Sequence, residues 1–289
     1  MTIRAVHHLN CATMCPVAGY LLGSGAWGEV GFGRGHMVAH CLLVETERDG
    51  LVLIDTGFGM NDIDGTTGLS SAFKRLCGPT LDPNETALAQ IDDLGFKAAD
   101  VRHIVVTHLD LDHAGGLPDF PGAKVHLHSR EHAAAVARTT FKERERYLKA
   151  QWAHGPKWEV YTEDGDTWRG LPAVTRLRGL DADIGLLPMH GHSRGHSAII
   201  VNAPKVERDG VPPARGETRW LVHAGDAYFH HRAVEGGTVP LGFAAFERAT
   251  QMDGAARRAS VAALRQLRTS YDDVDLFCAH DPHEYGRYA

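Results

Sequence analysis

The chain has no run approaching the roughly 20 consecutive apolar residues that a membrane-spanning helix requires, and residues 1–19 hold no continuous apolar segment of the signal-peptide kind. A cytoplasmic protein with no membrane partner is therefore expected. There is no basic excess either: 30 Lys and Arg stand against 36 Asp and Glu, for a formal net charge of −6. Without a basic stripe to neutralise phosphates, nucleic acid is not an expected partner. Cysteines are few. The five, Cys11, Cys15, Cys41, Cys77 and Cys278, are odd in number and scattered, which does not fit a disulfide framework. Cys11 and Cys15 lack the second pair that a zinc ribbon needs, so plain thiols are expected. The Gly-rich stretch 19–35 lacks the Gly-Lys-Ser/Thr ending of a phosphate loop. It reads instead as a hairpin beside the mouth of a site, with Trp27 and Phe32 supplying an apolar face.

What the chain does have is the balance of a globular protein. Hydrophobic residues make up 43% and charged residues 23% of its 289 positions, enough to bury a sizeable core. A single domain over 1–289 is expected. Residues 37–45 and 51–54, on either side of Arg48-Asp49-Gly50, read as a β-hairpin. Asn84 is expected to cap a helix that runs to Leu94 and closes at Gly95. Residues 103–107, 123–128, 197–202, 220–224 and 274–279 read as strands. Ser129 reads as the cap of an Ala-rich helix, and 253–268 as an amphipathic helix with Val261, Leu264 and Leu267 on one face. The polar stretch 205–218, with Pro212-Pro213, reads as an exposed hairpin tip. Strands come in two batches, each with helices, so the class is α/β.

Nineteen histidines stand out, and their clustering matters more than their number. Directly after the predicted strand 103–107 comes Thr107-His108-Leu109-Asp110-Leu111-Asp112-His113-Ala114-Gly115-Gly116. Four ligand-type side chains fall within six residues at a strand end, where the chain turns and they can converge. So many imidazoles and carboxylates beside an apolar strand are costly unless they are paired or hold a metal. Further along come His190-Gly191-His192-Ser193-Arg194-Gly195-His196, then Ala224-Gly225-Asp226, then Ala279-His280-Asp281.

Together with the early Leu53-Ile54-Asp55-Thr56-Gly57, these pieces resemble, in order and interval, the metallo-β-lactamase superfamily, whose motif reads His-x-His-x-Asp-His. The resemblance implies a four-layer αββα sandwich with two divalent metal ions at one edge, zinc in the first instance, with iron or manganese as alternatives. It assigns His108 and His192 to a first metal, Asp112, His113 and His280 to a second, and Asp226 as a bridge. His196 and Asp55 become supporting partners. Residue type agrees, because imidazoles and carboxylates suit Zn²⁺, Mn²⁺ and Fe²⁺.

One position departs from the motif: Asp110 stands where the second histidine is expected. If it ligates, the first metal gains a harder, charged donor; if it is too short to reach, that metal is weakly held. On residue type alone, Asp110→His is expected to raise zinc retention. Flavodiiron proteins, a related branch with Glu at this position, keep a redox alternative open, although no flavin-binding domain follows here. A phosphodiesterase or another hydrolase of the same superfamily is the other enzymatic alternative, and a metal-stabilised binding module without turnover is the third class.

Within the superfamily the likeness is greatest to N-acyl-homoserine lactonases, through residues 40–47, the Thr-His-Leu-x-x-Asp-His-Ala-Gly-Gly core and residues 239–243. It implies hydrolysis of a small-molecule ester or lactone by a metal-bridging hydroxide, with Asp112 or Asp226 carrying the proton. A homodimer is among the expectations. Those lactonases place a tyrosine three residues after the bridging aspartate; here that residue is Phe229, with Tyr228 one place earlier.

Overall fold

The computed structural model describes residues 2–17, 34–205 and 217–288. The expected hairpin at 19–35 and tip at 205–218 lie almost wholly outside the described residues. Among the described residues, twelve strands form two six-stranded sheets. The first runs in chain order: β1 (Ile3–Met14), β2 (Met37–Thr46), β3 (Leu51–Ile54), β4 (Val101–Val105), β5 (Lys124–His128) and β6 (Lys157–Tyr161). Its first three strands are antiparallel and β3 to β6 are parallel. The second comprises β7 (Asp166–Trp168), β8 (Leu171–Arg176), β9 (Ile184–Pro188), β10 (Ser197–Pro204), β11 (Thr218–His223) and β12 (Val274–Phe277). Here only β11 and β12 pair in parallel.

Side-chain alternation along the strands builds the layers. On β2, Leu42 and Val44 face the space between the sheets and meet Ile184, Leu186 and Ile199 of the second sheet, while Leu43 faces outward. Both sets are fully buried, which is why β2 reads as an unbroken apolar run. Outside the first sheet, Leu43, Leu53 and Ile104 pack on the helices Ala87–Asp93 and Ser129–Ala137 through Ile91, Ala134 and Ala135. Outside the second, Ile200, Val222 and Leu276 pack on the helix Gly254–Ser270 through Leu264 and Leu267. The order is helix, sheet, sheet, helix, the expected αββα sandwich. None of the helices among the described residues is long and apolar enough to cross a membrane, and all five cysteines are free.

Local details differ from the sequence expectation where side-chain competition decides them. Thr86, not Asn84, caps the helix Ala87–Asp93, its hydroxyl accepting from the Ala89 N–H at 3.2 Å; Asn84 lies in a preceding 3₁₀ turn capped by Asp82. His128 caps the helix Ser129–Ala137, its Nδ1 accepting from the Arg130 N–H, so Ser129 is the first helical residue instead. Strands β1 and β6 and the meander β7 to β9 had no sharp periodic signal. Half-buried positions mix polar and apolar residues there, as in His7, His8 and Glu159.

The carboxyl ends of β3, β4, β11 and β12 open on the same edge of the sandwich. Asp55 follows β3, 107–113 follow β4, Asp226 follows β11 and His280 follows β12. The β9–β10 connection brings His192 to that edge.

Candidate metal centre

All seven candidate ligands converge at this edge. His108, Asp110, His192 and Asp226 form one group, and Asp112, His113 and His280 a second. Asp226 spans the two. Its Oδ2 lies 3.4 Å from His192 Nε2 and 3.8 Å from His108 Nε2. Its Oδ1 lies 3.2 Å from His113 Nε2 and 3.1 Å from His280 Nε2. Asp112 Oδ2 is 3.6 Å from His280 Nε2. Asp110 does reach inward: its Oδ2 is 3.1 Å from His192 Nε2 and 3.4 Å from His108 Nε2.

The hydrogen bonds behind the ring set the direction of the lone pairs. The His113 Nδ1–H donates to Asp55 Oδ2 at 2.8 Å, and the His280 Nδ1–H donates to the Val38 carbonyl at 2.7 Å. Both rings therefore turn Nε2 toward the centre, and these two nitrogens sit only 3.2 Å apart. Thr107 donates its hydroxyl to Asp55 Oδ2 and can accept at 2.9 Å from the His108 Nδ1–H, which aims His108 Nε2 inward too. Asp55 also accepts from the Thr107 N–H at 2.7 Å. It does so with φ at +53°, a left-handed backbone that a non-glycine residue rarely adopts and that the surrounding contacts must hold.

This donor set fits divalent cations. Ring nitrogens and carboxylate oxygens crowd together here, and buried His108 Nε2 and Asp226 Oδ1 have no hydrogen-bond partner. Buried orphans of this kind cost about 1–3 kcal/mol each, and cations in their midst would satisfy them together. Electrostatics point the same way. Burial alone would raise the Asp226 carboxyl, but His280 and His113 outweigh it and hold the group well below the usual carboxylate range. Burial would likewise raise Asp110, yet Arg146 and His108 hold it well below that range. Burial, aided by Arg146, pushes His192 down to about 3, keeping its imidazole neutral.

Other sequence candidates fall outside the cluster. His196 spends both nitrogens elsewhere: Nδ1–H donates to the Met189 carbonyl at 2.8 Å and Nε2 accepts the Asp226 N–H at 2.9 Å, so it places the Asp226 backbone. His190 bonds Glu163 and the His196 carbonyl. His223 bonds the His40 carbonyl. His231 donates to Asp281 and packs against His230 and His283. At Gly195 a Cβ would collide with the Glu131 backbone, which explains the glycine between the two histidines.

Two charged residues had no signal in the sequence. Glu131, fully buried, accepts from the Leu109 N–H at 3.0 Å and, through its other oxygen, from the Ser193 hydroxyl at 2.6 Å and the Gly195 N–H at 2.9 Å. One carboxylate thus ties the loop carrying His108 to the loop carrying His192. The second is Arg146, which ends the helix Phe141–Arg146 and reaches to 3.2 Å from Asp110 Oδ1.

A cavity of about 490 Å³ ends on the cluster. Its floor includes Asp110, Asp112, His192, Asp226 and His280, and its walls are apolar, with Met14, Met37, Phe73, Phe243 and Phe246. Phe229 belongs to the site and Tyr228 does not. The Phe229 ring stacks on His280 with centroids 5.3 Å apart and planes 12° apart. The Tyr228 hydroxyl is buried 3.2 Å from both Glu284 oxygens, on the other side of the segment.

Comparisons with known proteins agree with this architecture. Residues 34–206 match the family described as the metallo-beta-lactamase superfamily. A probable metallo-hydrolase of Mycobacterium tuberculosis is 39% identical over 97% of this chain and 81% of its own length. The N-acyl homoserine lactonase AttM of Rhizobium johnstonii is 28% identical over 56% of this chain and 59% of its own. Among solved structures, an N-acyl homoserine lactone hydrolase with N-hexanoyl-L-homoserine at its catalytic metal centre superposes with a TM-score of 0.67. It is 19% identical, over 99% of this chain and 97% of that one. A dizinc quorum-quenching lactonase gives a TM-score of 0.58 at 16% identity, over 97% and 90% of the two chains.

Proposed function

The chain belongs to the metallo-β-lactamase superfamily, and we propose that this member is a two-metal hydrolase that cleaves a small ester or lactone carrying an apolar arm. The observation that carries this reading is the cavity: lined among the described residues mostly by apolar side chains and reaching the ionisable cluster at one end, it suits a substrate with a greasy body and one polar, reactive end. The resemblance to named lactonases supports the same class of bond.

His108, Asp110 and His192 would hold one cation and Asp112, His113 and His280 the other, with Asp226 shared. Two such cations supply polarisation of a carbonyl oxygen and an activated water near neutral pH. The chain's own residues do the rest. Asp55 and the Val38 carbonyl keep His113 and His280 in the tautomer that leaves Nε2 free. Asp112, facing the cavity, is an acceptor for the proton released as the acid product forms. Phe229, flat against His280, excludes water from that side without offering a hydrogen bond. A lactone carbonyl thus meets no hydroxyl at 229, which favours substrates held by their apolar arm over those held by several polar contacts.

The test is steady-state turnover of metal-replete protein on acyl-homoserine lactones of varied chain length, simple lactones, aryl esters and phosphodiesters, with metal content measured alongside. Turnover of lactones or esters that rises with arm length and disappears on chelation is expected. Activity confined to phosphodiesters, or none, would overturn the reading.

A further inference from the structure

Arg146, like Glu131, is a charged residue of this site that no motif explains. Its side chain is 6% exposed, and its second guanidinium nitrogen donates to the Thr250 carbonyl at 2.7 Å. The first lies 3.2 Å from Asp110 Oδ1, an ionic contact without the alignment of a hydrogen bond. A cation buried beside a cluster that fits divalent cations is unfavourable unless something nearby offsets it. The carboxylate that does so is Asp110, whose other oxygen faces His108 and His192. The departure from the superfamily motif and the unexplained arginine are therefore in contact.

We propose that Arg146 is a positioning residue for Asp110, and that the Asp110–Arg146 pair together replaces the histidine expected at 110. Replacing a neutral imidazole by a carboxylate adds one negative charge to the first group of ligands; the guanidinium returns one positive charge. The aspartate is shorter than histidine, and Arg146 fixes Oδ1 so that Oδ2 alone turns inward. As the arginine is itself anchored on the Thr250 carbonyl, the carboxylate is braced from behind, as Asp55 braces His113. The proposal rests on reading the cluster as a pair of metal positions. It reverses the expectation from residue type: Asp110→His alone removes the main anionic partner of Arg146 and leaves its buried charge beside the first metal with only the weaker influence of Glu131 and Asp226 to offset it.

The test is zinc binding, measured by competition with a chromophoric chelator and by zinc content after dialysis, on wild type, Arg146→Met, Arg146→Lys, Asp110→His and the double variant Asp110→His/Arg146→Met. Circular dichroism of each apo-protein reports folding. Wild type should hold two equivalents. Arg146→Met should weaken one of them by roughly 10- to 100-fold, the scale for loss of an outer partner, and Arg146→Lys should recover much of that loss. Asp110→His should also weaken one equivalent, whereas the double variant should return toward wild type because a neutral imidazole needs no counter-charge. Two tight equivalents in Arg146→Met, a lysine variant as weak as the methionine one, or additive losses in the double variant would overturn the proposal. A wild type that holds no zinc would instead overturn the metal reading itself, and the proposal with it.

Discussion

At the second group of ligands, both imidazoles are locked from behind by neutral or anionic acceptors of the chain, Asp55 for His113 and the Val38 carbonyl for His280. At the first, His192 Nδ1 has no hydrogen-bond partner, His108 relies on a threonine hydroxyl, and Asp110 is braced by a cation. The same sandwich edge thus carries one group whose rings are fixed from behind and another, on the segment after β4 and the β9–β10 connection, that leans on a threonine hydroxyl and a helix-terminal arginine. Preorganisation lowers the cost of binding, so the second position should be the tighter. During stepwise chelation the zinc lost first should come from the first position, where cobalt substitution after partial stripping would show the colour and coordination of a site including Asp110. Simultaneous loss of both equivalents would erase the distinction.

The largest effect is expected where the two groups share a residue. Asp226→Asn keeps the shape but removes the charge that faces four imidazoles. Both equivalents should weaken by more than the roughly 10- to 100-fold typical of outer partners. Turnover compared at equal metal occupancy should fall in kcat more than in KM. A variant with wild-type kcat would remove Asp226 from the chemistry.

Next come the supports peculiar to each side. Glu131→Ala strands three buried donors, at about 1–3 kcal/mol each, so denaturant unfolding of the apo-protein should show a loss of roughly 3 kcal/mol or more, with zinc loosened at the first position. Asp55→Ala should act chiefly on the second, weakening that equivalent by about 10- to 100-fold, with a smaller loss at the first, where Asp55 reaches His108 only through the Thr107 hydroxyl. If each variant loosened both positions equally, the site would be a single cooperative unit.

The smallest effect is a pH dependence on the second side. Glu284 accepts the Cys278 N–H at 2.7 Å and so steadies the end of β12 just before His280. Burial, with Asp281 adding to it, pushes its carboxyl up to about 7. An acid raised on folding binds its proton more tightly in the native state, so its contribution is present below the unfolded value near 4.5 and is lost as pH climbs toward 7. Apo-protein stability should therefore fall across that window, and Glu284→Gln should flatten the slope. An unchanged slope in the glutamine variant would assign the pH dependence to other groups.

Ligand residue types and their order were legible in the chain because they come in short local motifs at strand ends. His108 to His113 lie within six positions, and glycines flank His192 and Asp226. Likewise β2, β3, β4 and β10 were legible, since strands buried on both faces write continuous apolar runs. Strand β1, whose polar residues interrupt any run, and the caps at Thr86 and His128 were not, because neighbouring side chains compete for the same backbone N–H groups. Whether Tyr228 or Phe229 faces the cavity could not be read either, as one residue of register turns a side chain to the opposite side. Least visible were Arg146 and Glu131. Each acts on a residue distant in sequence, Arg146 on Asp110 and Glu131 on Leu109, Ser193 and Gly195, and an isolated charge carries no mark of what it will meet. By itself the sequence determined the family, the layered fold and the chemical nature of the donors; only the tertiary structure decided which buried charges balance them, because electrostatic compensation depends on distance through space and not along the chain.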